Sequence, residues 1–220
     1  CDKSYEIIQK YSEQDNRIKL LENNYSKGAP GARNTCLDNV SGDYVSFLDS
    51  DDIWKKNKLE KHLTFMNKNK IFFSYSYNDV IDEDGKYITT YKAPKKVNSF
   101  KMCFSNFISC STVIYDRKAV GHIHQPNILK RNDYALWLNI LNLEDINHGV
   151  CFDEVTSSYR SNTYGLSSNK FDTIKYYYEC LIEYNNCSRF LSCLYIMVYI
   201  TLAFMKKKFT YFYNLIVEII

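Results

Sequence analysis

Four consecutive positions carry the side chains best placed to do chemistry. Asp49-Ser50-Asp51-Asp52 follows the apolar run Tyr44–Leu48, which is predicted to be a strand. Two carboxylates separated by one residue at a strand end present hard oxygen ligands that suit Mg²⁺ or Mn²⁺. The same residues also fit a helix N-cap cluster, so the spacing alone leaves both interpretations open.

Two other groups of polar residues are weaker candidates. Asp82-Glu83-Asp84-Gly85 also contains two acids separated by one residue, but its Asp-Gly pair predicts a hairpin turn. The histidines show no spacing typical of a metal site, even though two of them are separated by a single residue. The four histidines are His62, His122, His124 and His148.

The elements that must position the acids alternate between helix and strand. Helices are predicted over residues 2–14, from the turn at Gly28–Asn34 to Gly42, and over 57–69, 99–106 and 133–143. Strands are predicted over residues 18–21, 44–48, 71–78, 86–91, 111–115 and 150–160. This alternation predicts parallel β-α-β units, in which ligands bind beyond the carboxyl ends of the strands.

The character of the chain changes after about Ser167. Helices are predicted over residues 172–184, 189–205 and 209–220. The stretch Phe190–Met205 carries no charge and is followed by three lysines. It is shorter than the roughly 20 residues of a membrane-spanning helix, which favours a helix packed on the domain or lying in a membrane interface. The lysines suit contact with anionic lipid, and a solvated helix end explains them equally well.

Charge and cysteine content exclude some classes of function. The 28 basic and 25 acidic residues give a formal net charge of +3, too small for the strongly basic face of a nucleic-acid-binding protein. The eight cysteines include no Cys-x-x-Cys pair, so neither a zinc knuckle nor a disulfide framework is indicated. Reduced, mostly buried thiols in a cytoplasmic protein are the favoured interpretation.

Two linked motifs resemble a known family. The run Asn24–Asn34 places an Asn and a Gly ahead of an Ala-Arg-Asn helix, and Gly42–Asp52 contains a Gly-Asp-Tyr turn, a hydrophobic strand and the acidic cluster. Both resemble family 2 glycosyltransferases of the GT-A fold, in which the acids form the DxD motif. The resemblance implies that Asp51 binds a divalent metal, Mg²⁺ or Mn²⁺, and that Asp49 contacts the nucleotide-sugar donor. Asp52 is expected to orient or cap the following helix.

The resemblance extends to the second half of the chain. The run Arg131–Leu138 resembles the acceptor-side motif, in which an acid near a helix start is the general base. Asp133 fits that position, with a simple N-cap as the alternative. Direct transfer with inversion needs one such carboxylate to take the acceptor's hydroxyl proton. The family has Glu-Asp at this point, and this chain has Asn132-Asp133.

Two arginines complete the expected donor site. Arg33 is expected to reach the nucleotide or the acidic cluster, or else to form a surface salt bridge, and the resemblance favours support of the site. Arg160, with the later run Gly165-Leu166-Ser167, resembles a loop that closes over the diphosphate. A phosphate clamp and an ordinary surface arginine both remain open for Arg160.

The sequence therefore predicts a mixed α/β GT-A domain over residues 1–168, without the family's first strand, and a helical extension over 169–220. The expected function is inverting sugar transfer from a nucleotide-diphosphate donor to a glycan or lipid-linked acceptor in bacterial surface polysaccharide synthesis. The expected location is the cytoplasm, with peripheral contact on the inner face of the membrane. The alternatives are a non-catalytic fragment that binds membrane or a partner, and a nucleotidyltransferase of similar fold.

Overall fold

In the computed structural model, which describes residues 3–161 and 170–219, seven strands form one sheet. They are β1 (Tyr44–Ser46), β2 (Ile53–Trp54), β3 (Phe73–Ile81), β4 (Tyr87–Tyr91), β5 (Lys96–Val97), β6 (Ile114–Asp116) and β7 (Gly149–Arg160). The order across the sheet is β1-β6-β3-β7-β2, with β4 paired to β3 and β5 paired to β7.

The sheet is mixed, in agreement with the predicted mixed α/β GT-A domain, and is not built only from the successive parallel units that the alternation predicted. Among the described strands, β3 with β7 is the one parallel pairing, and β6 lies antiparallel between β1 and β3. Because β6 is antiparallel to both neighbours, β1, β3 and β7 still run in the same direction. Their carboxyl ends therefore meet at one edge, and the predicted location of the site at that edge does not depend on the wrong pairing.

Nine helices are found in the described ranges. They are α1 (Ser4–Gln14), α2 (Ala29–Asp38), α3 (Lys58–Asn69), α4 (Ser99–Met102), α5 (Arg117–Val120), α6 (Asn132–Leu141), α7 (Lys170–Glu183), α8 (Arg189–Lys208) and α9 (Thr210–Ile219). A 3₁₀ turn covers Cys110–Thr112, where the sequence predicted a strand.

Two sequence predictions near the start of the chain are wrong. The run 18–21 forms no strand and pairs with none of the described strands. A strand needs a neighbouring strand to accept and donate its backbone hydrogen bonds, and apolar spacing alone does not provide one. Helix α2 ends at Asp38, with Asn39 as its C-cap, and does not continue to Gly42. The side-chain amide of Asn39 donates to the Thr35 carbonyl oxygen at 2.9 Å, which satisfies one of the last carbonyls of the helix.

Helix α6 lies at the centre of the core. Eight of its ten residues are buried, and the Trp137 ring packs 5.8 Å from the Phe47 ring and 5.7 Å from the Phe73 ring. These contacts join α6 to the residue after β1 and to the start of β3. Trp137 is fully buried, so its ring is part of the core.

The C-terminal helices share this core. Tyr177 of α7 stacks between Tyr134 of α6 and Tyr199 of α8, with ring centroids 4.8 and 4.2 Å away. At the sheet, the Asn214 amide of α9 donates to the Thr90 carbonyl oxygen at 3.0 Å. The proposed division of the chain at 168/169 falls in residues that the structure does not describe, and it stays a prediction.

Helix α8 is longer than the uncharged stretch suggested. Its 20 residues rise about 30 Å, which matches the hydrocarbon thickness of a bilayer. By length and composition it is the one candidate membrane span among the described helices, and 17% of its apolar window is buried inside the protein.

Candidate active site

The acidic turn after β1 is fixed by a network of hydrogen bonds. The backbone N–H of Asp49 donates to the Ser111 hydroxyl at 3.2 Å, and that hydroxyl donates to a carboxylate oxygen of Asp52 at 2.6 Å. The Asp52 N–H donates in turn to the Asp49 carbonyl oxygen at 3.0 Å. The indole N–H of Trp54 donates to the Ser111 carbonyl oxygen at 2.8 Å. The 3₁₀ turn therefore positions both ends of the acidic turn.

This arrangement gives Asp52 a different role from the predicted helix cap. Strand β2 follows Asp52 directly, and α3 begins only after Asn57, which occupies its N-cap position. Asp52 instead holds the turn together through Ser111 and the backbone of Arg160. The prediction that Asp52 caps the following helix is wrong, and its described bonds go to Ser111 and Arg160 and not to that helix.

The three acids form a concentrated negative cluster. Burial raises the pKa of Asp52, and the neighbouring charges of Asp49 and Asp51 raise it further, against the hydrogen bonds from Ser111 and Arg160. Asp51 is exposed at the outer corner of the turn. A hard divalent cation fits such a cluster because carboxylate oxygens are its preferred ligands, and its charge would relieve the repulsion.

Arg33 connects the acidic turn to the start of α6. Its guanidinium forms an ion pair with Asp49 and donates to the Asn132 side-chain oxygen at 3.2 Å. A longer bond of 3.4 Å reaches Gln125. The Arg33 side chain is only 18% exposed, so the alternative of a surface salt bridge does not describe it.

Two carboxylates act electrostatically on the Arg33 guanidinium. Burial opposes the Arg33 charge, but Cys110, Asp49 and Asp133 raise its pKa above the ordinary value. The Cys110 thiol is itself kept neutral because burial raises its pKa well above the usual range, so we attribute the effect to the two carboxylates. These two carboxylates belong to different parts of the fold, since Asp49 lies in the acidic turn after β1 and Asp133 lies in α6.

Glycines allow α2 to present Arg33 in this way. Gly28, the residue before the helix, has φ 110°, a conformation that side chains rarely adopt. A Cβ at Gly31 would lie 1.9 Å from the Ser26 carbonyl oxygen, so only glycine fits there. Gly28 and Gly31 therefore allow the close turn into α2.

Arg160 lies at the site but donates to protein groups. Its Nε donates to the Asp51 carbonyl oxygen at 3.0 Å, and its Nη1 donates to the Glu83 carbonyl oxygen at 2.8 Å. It thereby ties the acidic turn to the hairpin turn Asp82–Gly85, where Gly85 has φ 86°. The run 165–167, expected to act with Arg160, lies outside the described residues. A donor-binding role for Arg160 stays a prediction.

Sequence reasoning missed three residues that support the site. Ser111 lay in a run interpreted only as a strand, and Asn132 was noted only as a departure from the family's Glu. Lys58 of α3 is fully buried and donates to the Thr112 carbonyl oxygen at 3.0 Å, which supports the 3₁₀ turn from below. A lysine in the first turn of an amphipathic helix is normally exposed, so nothing in the sequence predicted that Lys58 is buried.

The fold and the acidic turn define the class of protein. A mixed sheet that gathers acids beyond the ends of strands running in the same direction, beside a carboxylate at a buried helix start, is the arrangement of GT-A glycosyltransferases. Residues 1–123 match the family described as Glycosyl transferase family 2, which is more than half of the chain. The chain belongs to this family.

Named relatives agree with this assignment. The chain is 40% identical over 205 residues to the Escherichia coli protein named UDP-Glc:alpha-D-GlcNAc-diphosphoundecaprenol beta-1,3-glucosyltransferase WfgD, covering 90% of this chain and 76% of that protein. It is 37% identical over 175 residues to the Bacillus subtilis protein named putative teichuronic acid biosynthesis glycosyltransferase TuaG, covering 79% and 69%.

A solved structure shares the fold. S. aureus TarS 1-349, determined in complex with UDP-GlcNAc, superposes with a TM-score of 0.60 at 16% identity, covering 94% of this chain and 62% of that one. The chain thus spans less than two thirds of TarS 1-349. The family, the GT-A fold class and the glycosyltransferase activity predicted from the sequence are confirmed, and the roles of individual site residues stay predictions.

Proposed function

We propose that this chain carries the site of an inverting transferase that moves a sugar from a nucleoside-diphosphate donor to a lipid-linked acceptor in bacterial surface polysaccharide synthesis. One observation carries the proposal. Arg33 bonds Asp49 at the carboxyl end of β1 and Asn132 at the start of α6. The expected donor side and acceptor side of the reaction therefore meet at one half-buried cation.

The donor half would be formed by the acidic turn. In this proposal Asp51 holds Mg²⁺ or Mn²⁺ with its exposed carboxylate, while Asp49, oriented by Arg33 and Ser111, contacts the sugar or ribose of the donor. A bound divalent metal would supply charge neutralisation for the departing nucleoside diphosphate. The backbone of the turn is already fixed by the Ser111 bonds and by Arg160. Donor binding therefore loses little free energy to ordering this segment.

The acceptor half would be formed by α6. Asp133 takes the proton of the acceptor hydroxyl as that oxygen bonds to C1 of the sugar and the bond from C1 to the diphosphate oxygen breaks. The attack comes from the face opposite the leaving group, so the configuration at C1 inverts. The burial of α6 supports this role because a rigid helix holds the base within the narrow range of position that the reaction needs.

The acceptor class and the membrane contact rest on two further observations. The name of the E. coli relative states a diphosphoundecaprenol-linked acceptor, and lipids of that kind lie in a membrane. Helix α8 exposes an apolar surface and ends in three lysines, the combination that binds an anionic lipid surface. We propose peripheral contact at the inner face of the cytoplasmic membrane through α8.

The test uses the full-length protein with UDP-sugars and a GlcNAc-diphosphopolyprenol acceptor. Transfer should release UDP and form a β-linked product. Replacing Asp133 by Asn should lower transfer by about 10³-fold, because general-base catalysis contributes 10²–10⁴-fold, while UDP affinity in the presence of Mn²⁺ changes less than about twofold.

The matched control is Asp145→Asn, an exposed acid that follows α6 and lies outside the site. It should transfer at the wild-type rate. Full transfer by Asp133→Asn would remove Asp133 as the base. Release of a sugar 1-phosphate in place of UDP would show transfer of the uridylyl group, the reaction of a nucleotidyltransferase, and would overturn the proposal as a whole.

A further inference from the structure

A second group of ligand-type side chains lies away from the acidic turn. Asp38 is the last residue of α2, and His122 and His124 lie in the segment after α5. The Nε2 atom of His124 is 2.7 Å from Asp38 Oδ1, and the Nε2 atom of His122 is 3.5 Å from the same oxygen. All three ligand atoms lie within 4.8 Å of one another.

The carboxylate of this group is held by a further residue. The Tyr25 hydroxyl donates to Asp38 Oδ2 at 2.6 Å, which leaves Oδ1 directed at the two imidazoles. The Tyr25 ring also meets the His124 ring edge-on, with centroids 5.6 Å apart. Metal-binding carboxylates are commonly oriented by such outer hydrogen bonds.

We propose that Asp38, His122 and His124 bind a borderline divalent transition metal, for which Zn²⁺ is the natural probe. Two imidazole nitrogens and one carboxylate oxygen suit Zn²⁺ and not the hard cations Mg²⁺ or Ca²⁺. Tetrahedral coordination at 2.0–2.2 Å places ligand atoms about 3.3–3.6 Å apart. The observed separations need only small side-chain rotations, which the exposed His122 ring can make.

The site differs in position and chemistry from the acidic turn. Asp38 lies five residues beyond Arg33, about 7.5 Å further along the axis of α2 and roughly 140° around it. Its fourth position faces solvent, since the three side chains are partly exposed, at 35% for Asp38, 67% for His122 and 37% for His124. Its ligands include nitrogen, whereas the acidic turn offers oxygen alone.

A metal bound there would join two segments that position Arg33. Asn34 on α2 already exchanges two hydrogen bonds with the Gln125 backbone, at 2.9 and 2.7 Å, and Ser26 donates to Asn127 at 2.8 Å. Because Gln125 follows His124 directly, the metal would strengthen this same connection. The inference does not depend on the proposed transferase chemistry, and its test measures metal binding alone.

The test is calorimetric titration of the untagged full chain with ZnCl₂ in excess Mg²⁺, which occupies hard oxygen sites. One tight site should be lost in His124→Ala and in His122→Ala, with affinity weaker by on the order of 100-fold, and Tyr25→Phe should weaken it by about 10-fold. His148→Ala is the matched control because His148 is exposed and does not belong to the group of Asp38, His122 and His124. Its affinity should equal that of the wild type.

Titration with Co²⁺ separates this site from thiol binding. Visible d–d bands without an intense near-ultraviolet thiolate band are expected, and they should disappear in His124→Ala. Circular dichroism should show that each variant is folded, as the replaced side chains are at least partly exposed. Zn²⁺ affinity unchanged in both histidine variants, or no Zn²⁺ binding by the wild type below 1 mM, on the order of the weakest protein–metal affinities, would overturn the proposal and leave an ordinary His–Asp ion pair.

Discussion

Helices α6 and α8 are both apolar, yet their surroundings differ. Eight of ten residues in α6 are buried, against Ser192, Tyr199 and Leu202 of the twenty in α8. The exposed apolar residues of α8 are Phe190, Leu191, Leu194, Met197, Val198, Ile200 and Phe204. A helix apolar on all sides is normally covered by protein or by lipid. The difference shows that α6 is covered by the protein core, whereas much of the apolar surface of α8 is exposed, as the proposed membrane contact requires.

The largest expected difference between the two helices is in stability. Trp137→Ala on α6 should lower the free energy of unfolding by about 3–5 kcal/mol, because it leaves a cavity between Phe47 and Phe73. Phe190→Ala on α8 removes another aromatic ring, but that residue is 73% exposed, so the change should stay within about 0.5 kcal/mol. Urea unfolding followed by circular dichroism measures both. Equal losses would show that α8 is as covered as α6.

The next difference is in membrane binding. Lys207 and Lys208 are exposed at the end of α8, and each should contribute about 1 kcal/mol near an anionic surface. Replacing both by Gln should weaken co-sedimentation with phosphatidylglycerol vesicles by about 30-fold. The matched control is the exposed pair Lys68 and Lys70 replaced by Gln, which should bind as the wild type does. Equal weakening in both pairs would place binding in overall charge and not in α8.

The comparison also shows which features of the fold and the site can be predicted from the sequence. The apolar spacing of α6 predicted a packed helix, and the Ala32-Arg33-Asn34 and Asp49–Asp52 motifs located the site, because their chemistry is local. Strand pairing was predicted less well. Helix–strand alternation does not reveal that β6, a late strand, enters between β1 and β3. That insertion is set by contacts between residues about 70 positions apart, Val45 with Tyr115, which no local pattern encodes.

Side-chain partners in the site were likewise beyond sequence reasoning. Ser111, Gln125 and Asn132 are ordinary polar residues in the sequence, and they acquire a role only because three separate segments converge on Arg33 and Asp49. The Asp38, His122 and His124 group shows the same limit. The two histidines alone carry no metal signature, and the third ligand lies 84 positions before His122.

The buried Lys58, which bonds the 3₁₀ turn beside the acidic turn, predicts that stability depends on pH. Burial lowers the pKa of Lys58 to about 7, so between pH 7 and its unfolded value the unfolded chain binds more protons than the folded chain. The free energy of unfolding should therefore rise with pH across that window. Below pH 7 it should stay at its lower value, because Lys58 is then charged in both the folded and the unfolded chain. Relative to Lys58→Met, the wild type should gain up to about 2 kcal/mol between pH 7 and 9.

Urea unfolding of both proteins at several pH values measures this gain. Lys61→Met, an exposed lysine one turn along α3, is the control and should follow the wild-type pH dependence. Parallel curves for the wild type and Lys58→Met would mean that the Lys58 ammonium keeps its charge through its bonds to Thr112 and Thr156 and its contact with the Trp54 ring.

The smallest expected effect lies at the contact between the two helices. Arg131, the residue before α6, donates to the Tyr199 hydroxyl of α8 and stacks on the Tyr177 and Tyr199 rings. Tyr199→Phe removes the hydroxyl and keeps the stacking, so the free energy of unfolding should fall by only about 1 kcal/mol. Tyr211→Phe on α9 is the control, since that residue is 73% exposed, and it should change nothing. If the two variants unfold at the same urea concentration, the Arg131 hydrogen bond does not stabilise the α6–α8 contact, and that contact depends on the packing of rings and apolar side chains.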